Sequence, residues 1–369
     1  MIIELKNYNL VIPKDKIMIR KFLLSAMILL ASLNLDAQDP GFTQFFTNPT
    51  YYNPALSGSS DGFNARTNYR NFWRKMDHGL NTLDISLDSE EPFLSGGIGL
   101  IMLSGIEGNG VIKTNMLGLS YAYNLIVIPR VFDIQMGLQG AYVQKNFQIK
   151  NLVFSDQLDP IFGITGTSAY SYAGINNIIY PDFATGINLR FNVGKVIQST
   201  PKATVNAGLA MHHITQPNES FTGMVSKVPI KTVIYANSLI KLDLSYSKSI
   251  FITPSFIYES QNVFKTMVIG SNVMLKPIYV GLWFRNGGLD FGKNSLKSLA
   301  VNVGLNMKIG SNNLQLGYSY DINISQLQNL MGDAHEISIR MQFDDVSFFG
   351  DKSAVSRKAS QNRACFNKF

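Results

Sequence analysis

Charge is scarce in this 369-residue chain: Asp, Glu, Lys and Arg together make up 15%, against roughly 25% in a typical soluble domain. A chain this poor in charge cannot cover a large surface with solvated groups, so much of that surface should be hidden from water. Long apolar runs are also missing. No segment beyond the N-terminal region reaches the 18 or so consecutive apolar residues that a membrane helix needs. There is a single cysteine, Cys365, which excludes a disulfide framework within the chain and a structural zinc site built on several cysteines. Histidine is limited to His78, His212, His213 and His335. Hydrophobic residues nevertheless reach 46%, with a mean hydropathy of only +0.06. Low charge, high apolar content and no long run together fit a transmembrane β-barrel, in which apolar and polar residues alternate.

The net charge of +7 gathers partly at the two ends. Lys14, Lys16, Arg20 and Lys21 precede the first apolar stretch, and Lys352, Arg357, Lys358, Arg363 and Lys368 lie in the last nineteen residues. No zinc-finger or RNP-like motif accompanies them, so nucleic acid is not an expected partner. Arg20-Lys21 leads into Phe22 to Leu33, a positive n-region and an apolar h-region of about 12 residues, the anatomy of a secretory signal. Leu35-Asp36-Ala37 predicts cleavage before Gln38, and Met18 is the better candidate start. No cysteine follows the h-region, which argues against a lipoprotein.

From Phe63 onward the dominant period is two. Leu299, Val301, Val303, Leu305, Met307 and Ile309 alternate with Ala300, Asn302, Gly304, Asn306 and Lys308. Phe183 to Val193, Leu314 to Ile322 and Ile337 to Phe343 repeat the pattern. Successive strand side chains point to opposite faces, so each run is an amphipathic strand. Turn signals such as Gly310-Ser311-Asn312-Asn313, Asn286-Gly287-Gly288 and Gly108-Asn109-Gly110 separate the runs. The rhythm predicts an all-β chain: a closed antiparallel transmembrane barrel of about 14 strands. Segments 151–181 and 214–229 break the rhythm as polar loops. The competing architecture is a soluble sandwich or propeller. Abundant Tyr and Phe (16 and 24) near strand ends and a face of Gly, Asn and Ser favour the membrane. Arg66, Arg70, Arg190 and Arg340 fall within strands; if they point inward they make the lumen cationic, since charge on the lipid face at mid-bilayer costs about 2–4 kcal/mol.

No catalytic constellation stands out, and neither an enzyme nor a cofactor or metal is expected. His212 and His213 are strand neighbours facing opposite ways, one to the lumen and one outward, so they cannot easily share an ion. His335 and Ser338, three apart, also face opposite sides. Glu90-Glu91-Pro92 reads as a solvated turn rather than paired acids. Ser95-Gly96-Gly97-Ile98-Gly99 lacks the lysine and helix of a phosphate loop.

After the predicted cleavage site comes Gln38-Asp39-Pro40-Gly41-Phe42-Thr43-Gln44-Phe45-Phe46-Thr47-Asn48-Pro49, then Thr50-Tyr51-Tyr52-Asn53-Pro54-Ala55-Leu56-Ser57-Gly58. The twin Asn-Pro spacing closed by glycine resembles the N-terminal signature of the PorP/SprF family of type IX secretion system membrane proteins. Asp39, Pro40, Gln44, Asn48, Pro49, Asn53, Pro54, Ala55 and Gly58 carry it. Tyr69, Arg70 and Trp73 resemble the family's first strand. His213 and Pro217, then Gly332, His335 and Glu336, match further along, and Cys365, Phe366 and Phe369 loosely match its C-terminal ending. The resemblance implies an outer membrane of Bacteroidetes type, protein export to the cell surface, sometimes gliding motility, and binding to cargo and partner secretion subunits. A porin or transporter for small solutes is the alternative.

The organisation expected is a signal peptide over 1–37, a periplasmic lead over 38–62, the barrel over 63–344 and a basic periplasmic tail over 345–369, with both chain ends periplasmic. Asn-Pro favours turns, so the lead should be ordered and non-helical. It could fold back as a partial plug, dock against a partner or cap the barrel end. The tail is either a solvated terminus or a partner-binding handle that uses Cys365, Phe366 and Phe369.

Overall fold

The computed structural model describes residues 39–351, except 61, 73–74, 76–78, 109, 169–173, 195–201, 246–247, 288–296, 311, 326–331, 344–345 and 349. The signal segment, Trp73, His78, Cys365, Phe366 and Phe369 therefore lie outside the described residues.

Fourteen antiparallel strands close into one barrel, as the alternation predicts. In chain order they are β1 (Phe63–Phe72), β2 (Leu80–Glu91), β3 (Gly96–Glu107), β4 (Ile112–Ile128), β5 (Phe132–Phe147), β6 (Asn177–Val193), β7 (Ala203–His212), β8 (Lys231–Ser245), β9 (Lys248–Gln261), β10 (Phe264–Leu275), β11 (Ile278–Asn286), β12 (Lys297–Ile309), β13 (Asn312–Asn323) and β14 (Ala334–Phe343). Each strand pairs with its sequence neighbour. β1 and β14 seal the ring, with Phe63 opposite Phe343 and Arg70 opposite Glu336. Closure leaves no strand edge unpaired, which is the condition for crossing hydrocarbon with strands.

Burial is inverted relative to a soluble protein. On β1, Asn64, Arg66, Asn68 and Arg70 are buried while Tyr69 is 44% exposed. On β2, Thr82, Asp84, Ser86 and Asp88 are buried while Leu83 and Ile85 are exposed. Val301, Val303 and Leu305 of β12 are exposed and Asn302 between them is 0% exposed. An apolar belt faces outward on strand after strand, and only lipid makes that arrangement favourable.

Two features of the strands depart from expectation. The polar break near 151–181 ends earlier, because Asn177 to Pro181 belong to β6 and pair with β5, Pro181 opposite Tyr142. Glu90 and Glu91 do not form a solvated turn. They are the last residues of β2, both buried, and Glu91 accepts a hydrogen bond from the Phe348 backbone N–H.

The two mouths differ. β1 begins and β14 ends at one of them, the terminal mouth, where the connections are short, such as 129–131 and 276–277. The loop mouth carries the two longest connections, 148–176 and 213–230.

Candidate functional site

The lumen is occupied by residues 39–60 of the chain itself. At the loop mouth, Asp39 meets His213, Lys231 and Gln261, which lie at or just beyond the loop-mouth ends of β7, β8 and β9. At the terminal mouth, the Gly58 backbone N–H donates to Asp88, and the Ser57 and Ser120 hydroxyls lie 2.6 Å apart. The segment thus runs the height of the barrel before β1 begins. The two chain ends, expected on one side, lie outside the described residues. An even strand count does bring the start of β1 and the end of β14 to one mouth. The lead then crosses the lumen, and Asp39 sits at the mouth opposite Phe343.

The lead is ordered, but it is not free of helix. Pro49–Tyr52 forms one α-helical turn and Pro54–Leu56 a 3-10 turn. Asn48 and Asn53, each preceding a proline, stay out of the helical region, with φ of −129° and −151°, as sterics before proline require. Each proline then opens a turn, because its fixed φ suits the first helical position and its missing N–H is no loss there. The Asn53 side chain accepts from the Ala55 N–H and so caps the second turn.

Three groups of contacts fix the lead. The first is aromatic. Phe46 stacks on Trp283 of β11 at 5.6 Å, and Phe45 meets Trp283 and Tyr52 edge-on at 5.3 and 6.1 Å. Phe42, Phe45, Phe46, Tyr51, Tyr52 and Leu56 form one buried cluster with wall residues that include Val233 and Ile257. The lumen is therefore apolar where it meets the lead, beyond the Gly, Asn and Ser that the sequence pattern places there.

The second group is polar. Glu336 of β14 accepts from the Thr43 and Gln44 backbone N–H groups at 2.7 and 3.0 Å. Arg70 of β1 bridges Asp321 and Glu336 at 2.7 and 2.8 Å and also donates to the Thr43 hydroxyl. Asn48 donates to Asp84, Thr47 to Asn68, and Asn53 to Tyr235. The bonds to Glu336, Arg70 and Asp84 are charge-assisted and so the strong ones, and with the neutral bonds they hold a segment with little regular structure of its own.

The third is close backbone approach. Gly58 has φ of +64°, and a Cβ there or on Gly97 would come within 2.6 Å of the opposing backbone. Both glycines let lead and wall touch. The glycine cluster of β3 is thus a docking surface for the end of the lead.

The mouth end of the lead is held electrostatically. His213 lies just past β7 with φ of +56°, so its ring turns inward rather than continuing the strand alternation. His212 also contacts the lead, at the Tyr52 carbonyl. The expected lumen-and-outward division of the two histidines therefore fails. Nε2 and Nδ1 of His213 lie 2.7 and 2.9 Å from Asp39 and Asp182 carboxylate oxygens. Carboxylates only accept, so the doubly protonated ring suits both. Burial works against the imidazolium, but Asp39 and Asp182 outweigh it and push its pKa up to about 10. Burial would raise the Asp39 carboxyl, yet His213 and Lys231 hold it well below the usual carboxylate range.

A raised histidine contributes stability that is complete below its ordinary pKa near 6.5 and is lost as pH rises through about 10. The depressed Asp39 contributes above 3.8 and loses its contribution as pH falls below that. The latch is therefore complete between about pH 4 and 6.5. Backbone amide exchange over residues 41–47 is expected to speed up from pH 7 to 10, beyond the intrinsic base catalysis, in the native protein but not in His213→Gln. Identical corrected profiles for the two proteins would show that the histidine carries no such role.

The lumen is not cationic as expected. Arg66, Arg70, Arg190 and Arg340 do point inward and are buried. Among the described residues, however, five buried basic groups, these and Lys231, face nine buried acidic ones: Asp84, Asp88, Glu90, Glu91, Asp133, Asp182, Glu259, Asp321 and Glu336. Arg66 pairs with Asp88, and Arg190 lies 3.7 Å from Asp133.

The structure thus brings Asp39 of the lead to His213 and Gln44 to Glu336, the partner of Arg70, while Asn48, Asn53, Ala55 and Gly58 meet Asp84, Tyr235, Gly137 and Asp88 of the wall. Pro40 contributes its carbonyl, which accepts from Tyr51, and Pro49 and Pro54 open the two turns. Tyr69 and His335 face outward, hydrogen-bonded to Asn81 and Tyr318. Pro217 accepts from Val228 within its own loop, and Gly332, with φ of +75°, shapes another. Asp84, Asp182, Lys231, Glu259, Arg285 and Asp321 were missed. The available signal was a charged residue inside an alternating apolar run, as with Asp84 between Leu83 and Ile85. Among the described residues no group of three His, Cys, Asp or Glu side chains could hold a metal ion.

A family described as type IX secretion system membrane protein PorP/SprF matches residues 34–341. The chain belongs to this family. Its matched region spans both the lead and the barrel wall that receives it. No functionally curated protein matches the chain. Solved structures similar to it include the CymD monoaromatic hydrocarbon channel, at 11% identity and a TM-score of 0.41, covering 80% of this chain and 93% of that one. A Pseudomonas aeruginosa FadL homologue has the same identity and TM-score, with 81% and 94% covered. The Ralstonia pickettii toluene transporter TbuX is 10% identical with a TM-score of 0.40, covering 80% and 94%. This PorP/SprF family member is an outer-membrane β-barrel of a secretion family.

Proposed function

We propose that this PorP/SprF family member supports export or surface attachment of cargo proteins, by binding cargo and partner subunits rather than by conducting solutes. The observation that carries this reading is the filled lumen. Residues 39–60 cross the barrel from mouth to mouth with their aromatic side chains buried against the wall, where a porin needs a continuous water path. The family match supplies the secretion context. Short connections at the terminal mouth suit the periplasmic side. In that orientation the loop mouth, Asp39 and His213 face the cell exterior, and the tail bearing Cys365, Phe366 and Phe369 enters the periplasm as a handle for partner subunits. No catalytic role is proposed.

Deleting the gene and measuring surface display of type IX cargo tests the reading. At least one cargo is expected to be lost from the surface, and display is expected to return with the full chain. With a chain truncated after Asp351, display should fail although the barrel assembles. Normal display of every cargo in the deletion strain rejects the proposal. Solute-selective flux through reconstituted protein would instead favour the porin.

A further inference from the structure

Beside the lead, at the loop mouth, lies a cup of about 310 Å³ lined by Phe72, Phe264, Thr266, Arg285, Ser298 and Asp321 among others. Its volume is at the lower end of the range typical for small-molecule sites. The wall register sets its chemistry. Even-numbered residues of β10 face inward, with Val268 and Asn272 each 1% exposed, so Phe264 and Thr266 turn toward the cup. On β1, Phe72 continues the inward face of Asn68 and Arg70. Two rings therefore form walls, with Lys265 and Lys297 at the rim.

Arg285 is the feature that points to a ligand. It donates to the Phe42 carbonyl at 2.8 Å and the Thr43 hydroxyl at 3.2 Å, both neutral acceptors on the lead. Its Nε is buried and makes no hydrogen bond. Arg66, Arg70 and Arg190 each have a carboxylate within ion-pair distance. Among the described residues Arg285 has none. The nearby Asp321 is already engaged by Arg70 and Thr43. The Arg285 guanidinium is half-buried and lies near Asp321 and Glu259 without pairing with either. Partial burial of a charge without an ion-pair partner is costly, and an anion arriving in the cup would supply that partner. The Phe72 and Phe264 rings beside it would cover an apolar or aromatic body.

We propose that this cup binds a small amphipathic carboxylate, with its anionic end on Arg285 and its apolar body between Phe72 and Phe264. Arg285 also holds Phe42 and Thr43, so such a ligand touches the guanidinium that fastens the lead, and its occupancy is read by the lead. The site goes beyond the secretion role and does not depend on it.

Isothermal titration of the full-length folded protein in a non-ionic detergent tests this, with 3-phenylpropionate as the probe. Saturable one-site binding is expected. The neutral 3-phenylpropan-1-ol, which keeps the body, and acetate, which keeps only the charge, should each bind at least tenfold more weakly. Arg285→Gln and Phe264→Ala should each weaken the carboxylate at least tenfold. Phe264 makes no hydrogen bond or ion pair to the lead, so its variant decides the matter should Arg285→Gln loosen the lead or fail to fold. Absence of saturable binding overturns the proposal. So does equal binding of acid and alcohol, or full-strength binding by Phe264→Ala.

Discussion

Replacing Arg70 by methionine is expected to destabilise the protein by about 3–5 kcal/mol, the range for removing one partner of a buried ion pair. Among the described residues Arg70 is the one ion-pair partner of both Asp321 and Glu336, and the side-chain exposures of the three are 5%, 2% and 0%. Methionine fills much of the space but leaves two carboxylates side by side in a site withdrawn from water. Glu336 also accepts from the Thr43 and Gln44 N–H groups, so the loss reaches the lead directly. The unfolding midpoint in urea and protease cleavage within 39–47 should therefore shift together. Glu336→Gln alone removes one carboxylate and keeps an acceptor, and its cost should be smaller. In the double variant, Arg70→Met should cost less than in the native background, because only Asp321 is then stranded. Additive costs would show that Arg70 and Glu336 are not coupled. A loss under 1 kcal/mol for Arg70→Met would mean that water reaches the site.

The sequence pattern made the wall legible and the interior only half so. Alternation such as that from Leu299 to Ile309 is a local property, and it fixed strand type, strand number and facing. It failed at Pro181, which lies in β6 opposite Tyr142, because a proline and polar neighbours normally signal a loop. It also failed at Glu90 and Glu91, where burial comes from a distant contact with Phe348. The lead was recognised through its Asn-Pro pairs, yet nothing local says that Asp39 ends beside His213, 174 residues away. A carboxylate on an inward strand position looks alike whether it faces water or a guanidinium. Choosing between the two needs the barrel closed and the lead threaded. Arg285 shows the same limit: its inward parity could be read from the sequence, whereas its lack of a direct ion pair among the described residues could not.

The facing of the wall has its own large expected effect. Val303 is the middle residue of β12 and is 43% exposed on the apolar belt. Arginine there puts a charge into the hydrocarbon midplane, at about 2–4 kcal/mol. Leu305 and Met307 lie on the same face at 41% and 36% exposure, progressively nearer the membrane interface, where the cost falls to about 0–1 kcal/mol. Asn306 between them is half-buried on the lumen side, its amide near the Met274 sulfur. Arginine scanning of the four positions should therefore damage assembly most at Val303, less at Leu305 and Met307, and least at Asn306. The readout is the fraction of unheated protein that keeps the folded mobility on a denaturing gel. Comparing Asn306 with its two flanking neighbours separates facing from depth, since all three sit at nearly the same height. If Asn306→Arg proves as damaging as Leu305→Arg, the lumen there is too full to admit a guanidinium. If Val303→Arg is tolerated as well as Met307→Arg, the middle of β12 does not lie at the centre of the bilayer and the membrane belt must be placed elsewhere along the barrel.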